Sequence, residues 1–145
     1  MKIALGSDHA GFHHKEAVKK YLADRGHDVS DFGTDSELPC DYPDFIFPAA
    51  ESVAGGDCDC GVVFGGSGNG EAIAANKIPR IRCAVCWHEK SARLAKEHNN
   101  ANMIAIGERM VNETTAIKLV QAWLDAEFQG GRHLRRIQKL ERPSS

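Results

Sequence analysis

Short apolar runs alternate along this chain with longer segments whose apolar residues recur every three or four positions. The short runs predict five β-strands: KIALGS (2–7), DVSDFG (28–33), CGVVFG (60–65), RCAVCW (82–87) and MIAIG (103–107). The periodic segments predict helices over 12–25, 44–54, 71–77, 89–98 and 113–128. The chain therefore reads as five β/α units.

Three of the runs, 3–5, 62–64 and 103–106, are continuously apolar rather than alternating. That pattern is typical of strands covered by helices on both faces, as in a parallel sheet. We therefore predict a single-domain α/β protein over 1–145. Its architecture would be a three-layer α/β/α sandwich with a five-stranded parallel sheet, Rossmann-like in its winding.

Glycine and proline mark the ends of several elements. Gly26 is predicted to end the first helix at the C′ position, while Pro48 lies inside the second helical pattern and predicts a late start or a kink. The tail GGRHLRRIQKLE begins with a glycine break and predicts a basic helix at about 131–141. The last three residues are expected to be loosely held.

Composition narrows the classes of function. The chain is 42% apolar and 26% charged with a net charge of -2, which gives no bulk attraction to nucleic acid. The first segment has only a four-residue apolar stretch, too short for a secretory leader or a membrane span, so no membrane partner is expected. Five cysteines are an odd number for a disulfide framework, and reduced thiols in a cytoplasmic protein are predicted.

Polar, glycine-rich segments flank three of the predicted strands. They are 7–11 after the first strand, 65–71 after the third, and 98–102 before the fifth. Ligands of open parallel sheets bind beyond the carboxyl ends of the strands. We expect these three segments to converge on one edge of the sheet.

The loop Gly65–Gly70 carries four glycines between a buried strand and a helix, which favours backbone N–H groups turned toward an anion. It lacks the lysine of a phosphate-binding P-loop, because Glu71 follows its last glycine. It also lacks the G-x-S-x-G pattern of serine hydrolases, because Asn69 takes the final glycine position. A tight turn without a ligand is the alternative.

Glu71 opens the following helix, where the helix dipole favours the ionised carboxylate. A carboxylate beside N–H donors suits the removal of a proton from carbon, with the donors holding the enediolate oxygens. This pairing predicts an enolisation that requires no metal. An ordinary acid at a helix N-terminus is the alternative for Glu71.

Metal and thiol chemistry receive little support from residue spacing. His9 and His13 would be four apart on a helix that began early, but they lack a third ligand at matching spacing. Cys83 and Cys86 lie three apart in a strand pattern and would face opposite sides of the sheet. We expect no metal and no cofactor.

Basic side chains recur near the predicted tail helix. Arg132, Arg135 and Arg136 have the i, i+3, i+4 spacing that would gather them on one helix side, suited to a phosphate or to a solvated basic face. Arg109, after the fifth strand, would add positive charge at the sheet edge. For His98, at the end of a helix, a solvated histidine stabilised by the dipole is the simple interpretation.

Taken together, the motifs resemble the type B ribose-5-phosphate isomerases, a family that also includes allose- and galactose-phosphate isomerases. The similarity runs from Met1 to about Ile137. It rests on GSDHAGF (6–12), DYP (41–43), GGSGNGEAIAANK (65–77), EHNNAN (97–102) and GGRHLRRI (130–137).

The resemblance implies an isomerase of ribose 5-phosphate and ribulose 5-phosphate that works as a homodimer or a dimer of dimers with its site at the subunit interface. Catalytic roles fall to Glu71, Ser67, Asp8 and His98. Substrate binding falls to His9, Gly66, Gly68, Asn69, Gly70, Asn99, Arg109, Arg132 and Arg136. The neighbouring subunit is implied to supply His98, Asn99 and Arg109.

One departure from the family pattern concerns the base. Many members carry a cysteine at the first loop position, where this chain has Gly65. Another branch places Glu directly after the final loop glycine, and Glu71 matches that branch.

Two alternatives remain at this point. The same machinery would serve allose 6-phosphate, galactose 6-phosphate, a tetrose phosphate or an unphosphorylated rare sugar. A binding protein without turnover would retain the glycine loop alone.

Overall fold

The computed structural model of the chain describes residues 1–142, so the expectation for the last three residues lies outside it. Five strands form one parallel sheet in the order β2-β1-β3-β5-β4. They are β1 Lys2–Ser7, β2 Asp28–Asp31, β3 Cys60–Gly65, β4 Cys83–Val85 and β5 Met103–Gly107.

Residues 1–142 contain six α-helices: α1 Phe12–Asp24, α2 Pro43–Ala54, α3 Asn69–Asn76, α4 Glu89–Asn99, α5 Glu113–Asp125 and α6 Arg132–Leu140. All of the predicted helices are present, the basic tail helix included. Gly26 stands at the C′ position of α1 with φ +85°, as its pattern predicted. None of the helices in residues 1–142 is both long and apolar enough to cross a membrane.

The continuously apolar runs are buried on both faces of the sheet. In β1, Ile3 and Leu5 join the core on one face, while Ala4 joins the core on the other. In β3, Phe64 and Val63 divide between the two cores in the same way. Successive side chains of a strand point to opposite faces, so an unbroken apolar run is what two covered faces require.

The helices cover the two faces unequally. Helices α1, α4 and α5 bury one face through residues such as Val18, Ala95 and Trp123. Helices α2 and α3 bury the other face through residues such as Ile46 and Ala75. The predicted three-layer α/β/α sandwich with a five-stranded parallel sheet is confirmed.

Helix α2 differs from its prediction. It begins at Pro43, one residue earlier than expected, and continues past Pro48 to Ala54 as one helix. The late start predicted from Pro48 is therefore wrong. Pro43 stands at the start of the helix, where a missing N–H costs nothing. Helix α5 ends at Asp125, so it is shorter than the predicted helix 113–128.

The strand order decides which loops meet. The chain passes from β1 outward to β2 and then returns to β3 on the other side of β1, which makes a switch point between β1 and β3. Strand β5, rather than β4, pairs with β3. The carboxyl ends of β1, β3 and β5 are therefore adjacent.

A buried lysine ties helix α1 to the edge strand β2. The Lys15 side chain is fully buried, and its Nζ lies 2.8 Å from Glu16 and 2.7 Å from Asp31. Lys19 donates to the same Asp31 carboxylate at 3.0 Å. Burial alone would raise the pKa of Asp31, but hydrogen bonds from Lys15, the Gly33 N–H and Lys19 hold that pKa below its ordinary value.

We expect Asp31→Asn to lower the free energy of unfolding by about 2–3 kcal/mol, because it leaves the buried Lys15 ammonium with one carboxylate fewer. Since the pKa of Asp31 is depressed in the folded state, its contribution is present above the ordinary carboxyl pKa and is lost as the pH falls. Urea unfolding at neutral pH measures the change. The matched control is Asp24→Asn, which breaks the exposed Lys20–Asp24 pair and should cost about 0.5 kcal/mol or less. Equal losses in both variants would contradict the role of Lys15.

Candidate active site

Three loops at the carboxyl edge of the sheet enclose a cavity of about 290 Å³. They follow β1, β3 and β5, and the segment before α2 completes the wall. The lining residues are Asp8, His9, Ala10, Tyr42, Gly66, Ser67, Gly70, Glu71, Arg109 and Met110. Seven of the predicted site residues are therefore brought together.

Asp8 lies directly after β1 and caps the short 3-10 turn His9–Gly11. Its Oδ1 accepts from the N–H groups of Ala10 at 2.9 Å and Gly11 at 3.1 Å. Its own N–H donates to the Phe64 carbonyl of β3 at 3.3 Å. These contacts fix one carboxylate oxygen in the turn and hold the residue at the cavity wall.

His9 has a defined hydrogen-bonding role. Its Nδ1 accepts from the Cys40 N–H at 3.1 Å. A neutral imidazole that accepts at Nδ1 carries its proton on Nε2. His9 therefore retains Nε2–H as a donor, and the residue lines the cavity.

The glycine loop presents backbone donors. Within residues 1–142, no backbone carbonyl accepts from the N–H groups of Gly66, Ser67 or Gly68. Gly68 stands at the N-cap of α3 with φ +88°, and the Ser67 hydroxyl accepts from the Asn69 N–H at 3.2 Å. Free N–H groups at a helix N-terminus suit an anionic oxygen.

Glu71 lies beneath this loop in the first turn of α3 and is only 3% exposed. A Cβ built on Gly65 would overlap the Glu71 carboxylate group. The Glu71 carboxylate therefore occupies the volume that a side chain at position 65 would need. Many members of the family that the chain resembles carry a cysteine at this position. That side chain would need the same volume as the Glu71 carboxylate.

Two causes raise the pKa of Glu71. Burial penalises the ionised carboxylate most, and the nearby charge of Asp8 adds to it, while the backbone N–H of Glu71 opposes both. A carboxylate with a raised pKa is a stronger base than an exposed one. A carboxylate in this environment is chemically suited to accept a proton from carbon.

Arg109 and Tyr42 lie against two loop glycines. A Cβ built on Gly66 would lie 2.9 Å from a guanidinium nitrogen of Arg109, and one built on Gly70 would lie 2.7 Å from the Tyr42 ring. The resemblance implied that Arg109 comes from a neighbouring subunit. In this structure its side chain lines the cavity of its own chain.

Tyr42, Ala10 and Met110 line the cavity but were not among the predicted site residues. Tyr42 belongs to the DYP motif at 41–43, which carries the family resemblance but by itself indicates no role for the ring. Ala10 and Met110 carry no chemical signal in the sequence. Asn69, which was predicted to bind substrate, is exposed at the start of α3 and does not line this cavity.

His98 and Asn99 lie elsewhere in the chain. They form the last turn of α4, directly before β5 begins at Met103. Residues that precede a parallel strand lie at the amino edge of the sheet, and Asn99 lines a separate cavity there with residues such as Cys83. The expectation that 98–102 converge with the other two polar segments is wrong within one chain, because that expectation ignored the direction of the strand.

A basic cluster surrounds His98 at this amino edge. The rings of His98 and His133 stack with centroids 4.5 Å apart, and α6 carries Arg132 and Arg136 as exposed side chains. Burial and the charges of Arg132, His98 and Arg136 lower the pKa of His133. The N–H of Gln129 donates to the Glu97 carbonyl at 3.0 Å and holds the start of this segment on α4.

Eleven of the thirteen predicted site residues thus form two groups within one chain, while Gly68 and Asn69 lie at the start of α3 outside the cavity lining. Seven line the carboxyl-edge cavity, and His98, Asn99, Arg132 and Arg136 lie at the amino edge. Strand β3 has six residues, which separates the two edges by roughly 20 Å at about 3.3 Å per residue. One copy of the chain does not bring the two groups into contact.

Four of the five cysteines are buried in the two cores, while Cys40 is partly exposed with its Sγ 3.9 Å from His9 Nδ1. All five are free, and Cys83 and Cys86 belong to the cores on opposite faces of the sheet, as their spacing predicted. Burial raises the pKa of Cys60 to about 11 and that of Cys86 to about 12, so both thiols are protonated near neutral pH. Among residues 1–142, no three His, Cys, Asp or Glu side chains group as a metal site requires.

Comparison with known proteins adds independent information. The family model described as Ribose/Galactose Isomerase matches residues 3–140. The chain is 43% identical over 139 residues to the protein named ribose-5-phosphate isomerase B from Escherichia coli strain K12, covering 96% of this chain and 93% of that one.

Solved structures agree with the sequence relatives. The structure of Clostridium thermocellum ribose-5-phosphate isomerase B matches with a TM-score of 0.96 and 50% identity over 97% of this chain and 95% of that one. The Mycoplasma genitalium ribose-5-phosphate isomerase B with bound ribulose-5-phosphate matches with a TM-score of 0.92 and 38% identity, covering 97% and 93%. With its glycine loop, its carboxyl-edge cavity and these matches over nearly its whole length, the chain belongs to the ribose/galactose isomerase family.

Proposed function

We propose that this chain interconverts D-ribose 5-phosphate and D-ribulose 5-phosphate through a cis-enediolate, with Glu71 as the base. The observation that carries the proposal is the Glu71 carboxylate, buried against Gly65 beneath a loop of unpartnered N–H groups. The relatives named ribose-5-phosphate isomerase B support the substrate, as does the relative whose structure holds ribulose 5-phosphate.

The reaction follows from this geometry. Once the sugar is in its open-chain form, the ionised Glu71 removes the proton from C2, and the electron pair forms the C1–C2 double bond of the enediolate. The protonated carboxyl then returns a proton to C1, while a proton passes between the two oxygens. The N–H groups of Gly66 and Gly68 stabilise the transient negative oxygen, an effect worth about 3 kcal/mol per donor.

The remaining residues receive supporting roles under this proposal. Asp8 and His98 help to open the furanose ring, and Ser67 assists proton transfer between the sugar oxygens. The loop glycines and Asn69 and Asn99 hold the sugar hydroxyls. The phosphate is bound by the Nε2–H of His9 and by Arg109, Arg132 and Arg136, whose guanidinium groups suit its oxygens.

We propose that the complete site forms between two copies of the chain, in a homodimer or a dimer of dimers. The supporting observation is the separation of His98 and Arg132 from Glu71 at opposite edges of the sheet. A second copy that presents its amino edge to this cavity would unite the two groups. The five free thiols fit the reducing cytoplasm in which we place the reaction.

The proposal is tested by mixing pure protein with ribose 5-phosphate in EDTA and heavy water. We expect ribulose 5-phosphate to form and deuterium to enter the recovered sugar at carbon. The same assay ranks the alternative substrates when it is run with allose 6-phosphate, galactose 6-phosphate, a tetrose phosphate and free aldoses. Binding without product would favour a non-catalytic role. Product with no deuterium at carbon even after prolonged incubation, when repeated turnover lets the proton on Glu71 exchange with solvent, would contradict the enediolate.

In that assay Glu71→Gln is expected to lose activity by orders of magnitude, because the amide accepts no proton. The variant should fold normally: the raised pKa of Glu71 means that its ionised form opposes folding above that pKa, and Gln removes this cost. For the same reason, parent activity should fall as the pH drops through that raised pKa. A Glu71→Gln variant with the parent turnover rate would disprove the role of Glu71 as the base. The control variant Cys60→Ser should keep nearly the parent rate.

Gly65→Ala tests the packing beneath the loop. The added methyl overlaps the Glu71 carboxylate and must displace it, so we expect kcat/KM to fall by about 100-fold while the fold persists. In a Glu71→Ala background the overlapping group is absent. Gly65→Ala should then lower the residual kcat/KM by less than about threefold. Equal losses in both backgrounds would show that the methyl acts elsewhere.

Mixing two impaired variants tests the shared site. In a dimer of Glu71→Gln and His98→Ala chains, one of the two sites combines an intact Glu71 with an intact His98. After unfolding and joint refolding, about one quarter of parent activity should return, since half of the dimers are mixed and each has one complete site. Activity no greater than the sum of the separate variants would place both residues in one chain's site.

A further inference from the structure

His14, in the first turn of α1, joins that helix to the segment 108–111 that follows β5. The backbone N–H of His14 donates to Glu108 Oε1 at 2.9 Å, and the His14 ring Nδ1 lies 3.4 Å from the same oxygen. The other ring nitrogen, Nε2, lies 2.7 Å from the Val111 carbonyl and donates to it. His14 is buried and thus bridges both ends of the segment 108–111.

The Glu108 carboxylate caps the N-terminus of helix α1 at the His14 N–H. The first N–H groups of a helix have no partner within the helix, and the N-cap of α1, Gly11, offers no side chain to accept from them. Glu108, which is 94 positions away along the chain, supplies the acceptor for His14, and its carboxylate lies at the positive end of the helix dipole. The turn that carries Asp8 and His9 leads directly into this capped helix end.

The same contact restrains the residue next to it. The backbone N–H of Glu108 donates to the Gly65 carbonyl at 2.8 Å, and that of Arg109 donates to the Gly66 carbonyl at 3.0 Å. The Arg109 backbone is therefore held on the glycine loop, and the Glu108 side chain holds the same segment on α1. Arg109 follows Glu108 in the chain and His9 precedes α1, and both residues line the same cavity.

We propose that Glu108, anchored by His14, is a positioning residue that fixes Arg109 relative to His9 for binding the phosphate of the substrate. This inference rests on the proposed function, because it assigns the phosphate to His9 and Arg109. Glu108 acts through Arg109 and does not touch the reacting carbons. Its loss affects phosphate binding far more than proton transfer.

The experiment measures KM and kcat for ribose 5-phosphate and the inhibition constant of inorganic phosphate. With Glu108→Ala we expect KM and the phosphate inhibition constant to rise about tenfold, with kcat within about threefold of the parent. Glu108→Gln retains an oxygen that accepts from the His14 N–H and should recover most of the loss. His14→Leu, which keeps the backbone N–H but loses the ring hydrogen bond to the Val111 carbonyl, should show a smaller rise in KM.

The matched control separates positioning from stability. Asn112 caps α5 by accepting from the Thr115 N–H at 2.8 Å, and it does not line the cavity. Asn112→Ala removes a helix cap just as Glu108→Ala does, so thermal unfolding should shift in both variants. KM should rise with Glu108→Ala alone.

A double variant decides between the inference and the function on which it rests. If Glu108 acts through Arg109, Glu108→Ala should raise KM no further in an Arg109→Ala background. Full additivity, or a fall in kcat without a rise in KM, would overturn the positioning role. If Arg109→Ala itself leaves KM and phosphate inhibition unchanged, the assignment of Arg109 to the phosphate fails instead.

Discussion

The close approach of three backbone segments at the carboxyl ends of β1, β3 and β5 is the constraint on which the site depends. A Cβ at Gly107 would lie 2.5 Å from the Ser67 backbone, so the turn after β5 packs directly on the glycine loop. Hydrogen bonds from Glu108 and Arg109 to Gly65 and Gly66 hold that contact. Side chains at these glycines would separate the segments and open the cavity.

The same packing sets the electrostatics. With no side chain on Gly65, the Glu71 carboxylate lies buried beneath the loop, close enough to Asp8 for both burial and repulsion to raise its pKa. The unpartnered N–H groups of Gly66 and Ser67, with Arg109 against Gly66, lie on residues that line the cavity and supply fixed positive potential there. A strengthened base beside donors that need no rearrangement is the arrangement that enolisation requires.

The direction of the strands explains why one chain carries its candidate residues at two edges. Helix α4 runs back from the carboxyl edge, so its last turn delivers His98 and Asn99 to the amino edge, where α6 adds Arg132 and Arg136. Under the proposed function these residues serve a neighbouring copy. Oligomerisation would then be part of the site's construction, because no local rearrangement moves side chains across the length of a strand.

The sequence by itself determined the type and order of the elements but not all of their bounds. It also predicted the two-faced burial of β3 and β5, the C′ glycine at Gly26, and the pairing of a glycine loop with Glu71, because each follows from spacing between near neighbours. The place of His98 at the amino edge already follows from its position before a predicted parallel strand. Only the tertiary structure decided that β5 lies between β3 and β4 and that Tyr42 and Arg109 line the cavity of their own chain. Those facts depend on pairing between distant segments. Local periodicity carries no information about which strand ends become neighbours. The strand order depends instead on the free energy of the whole packed sheet.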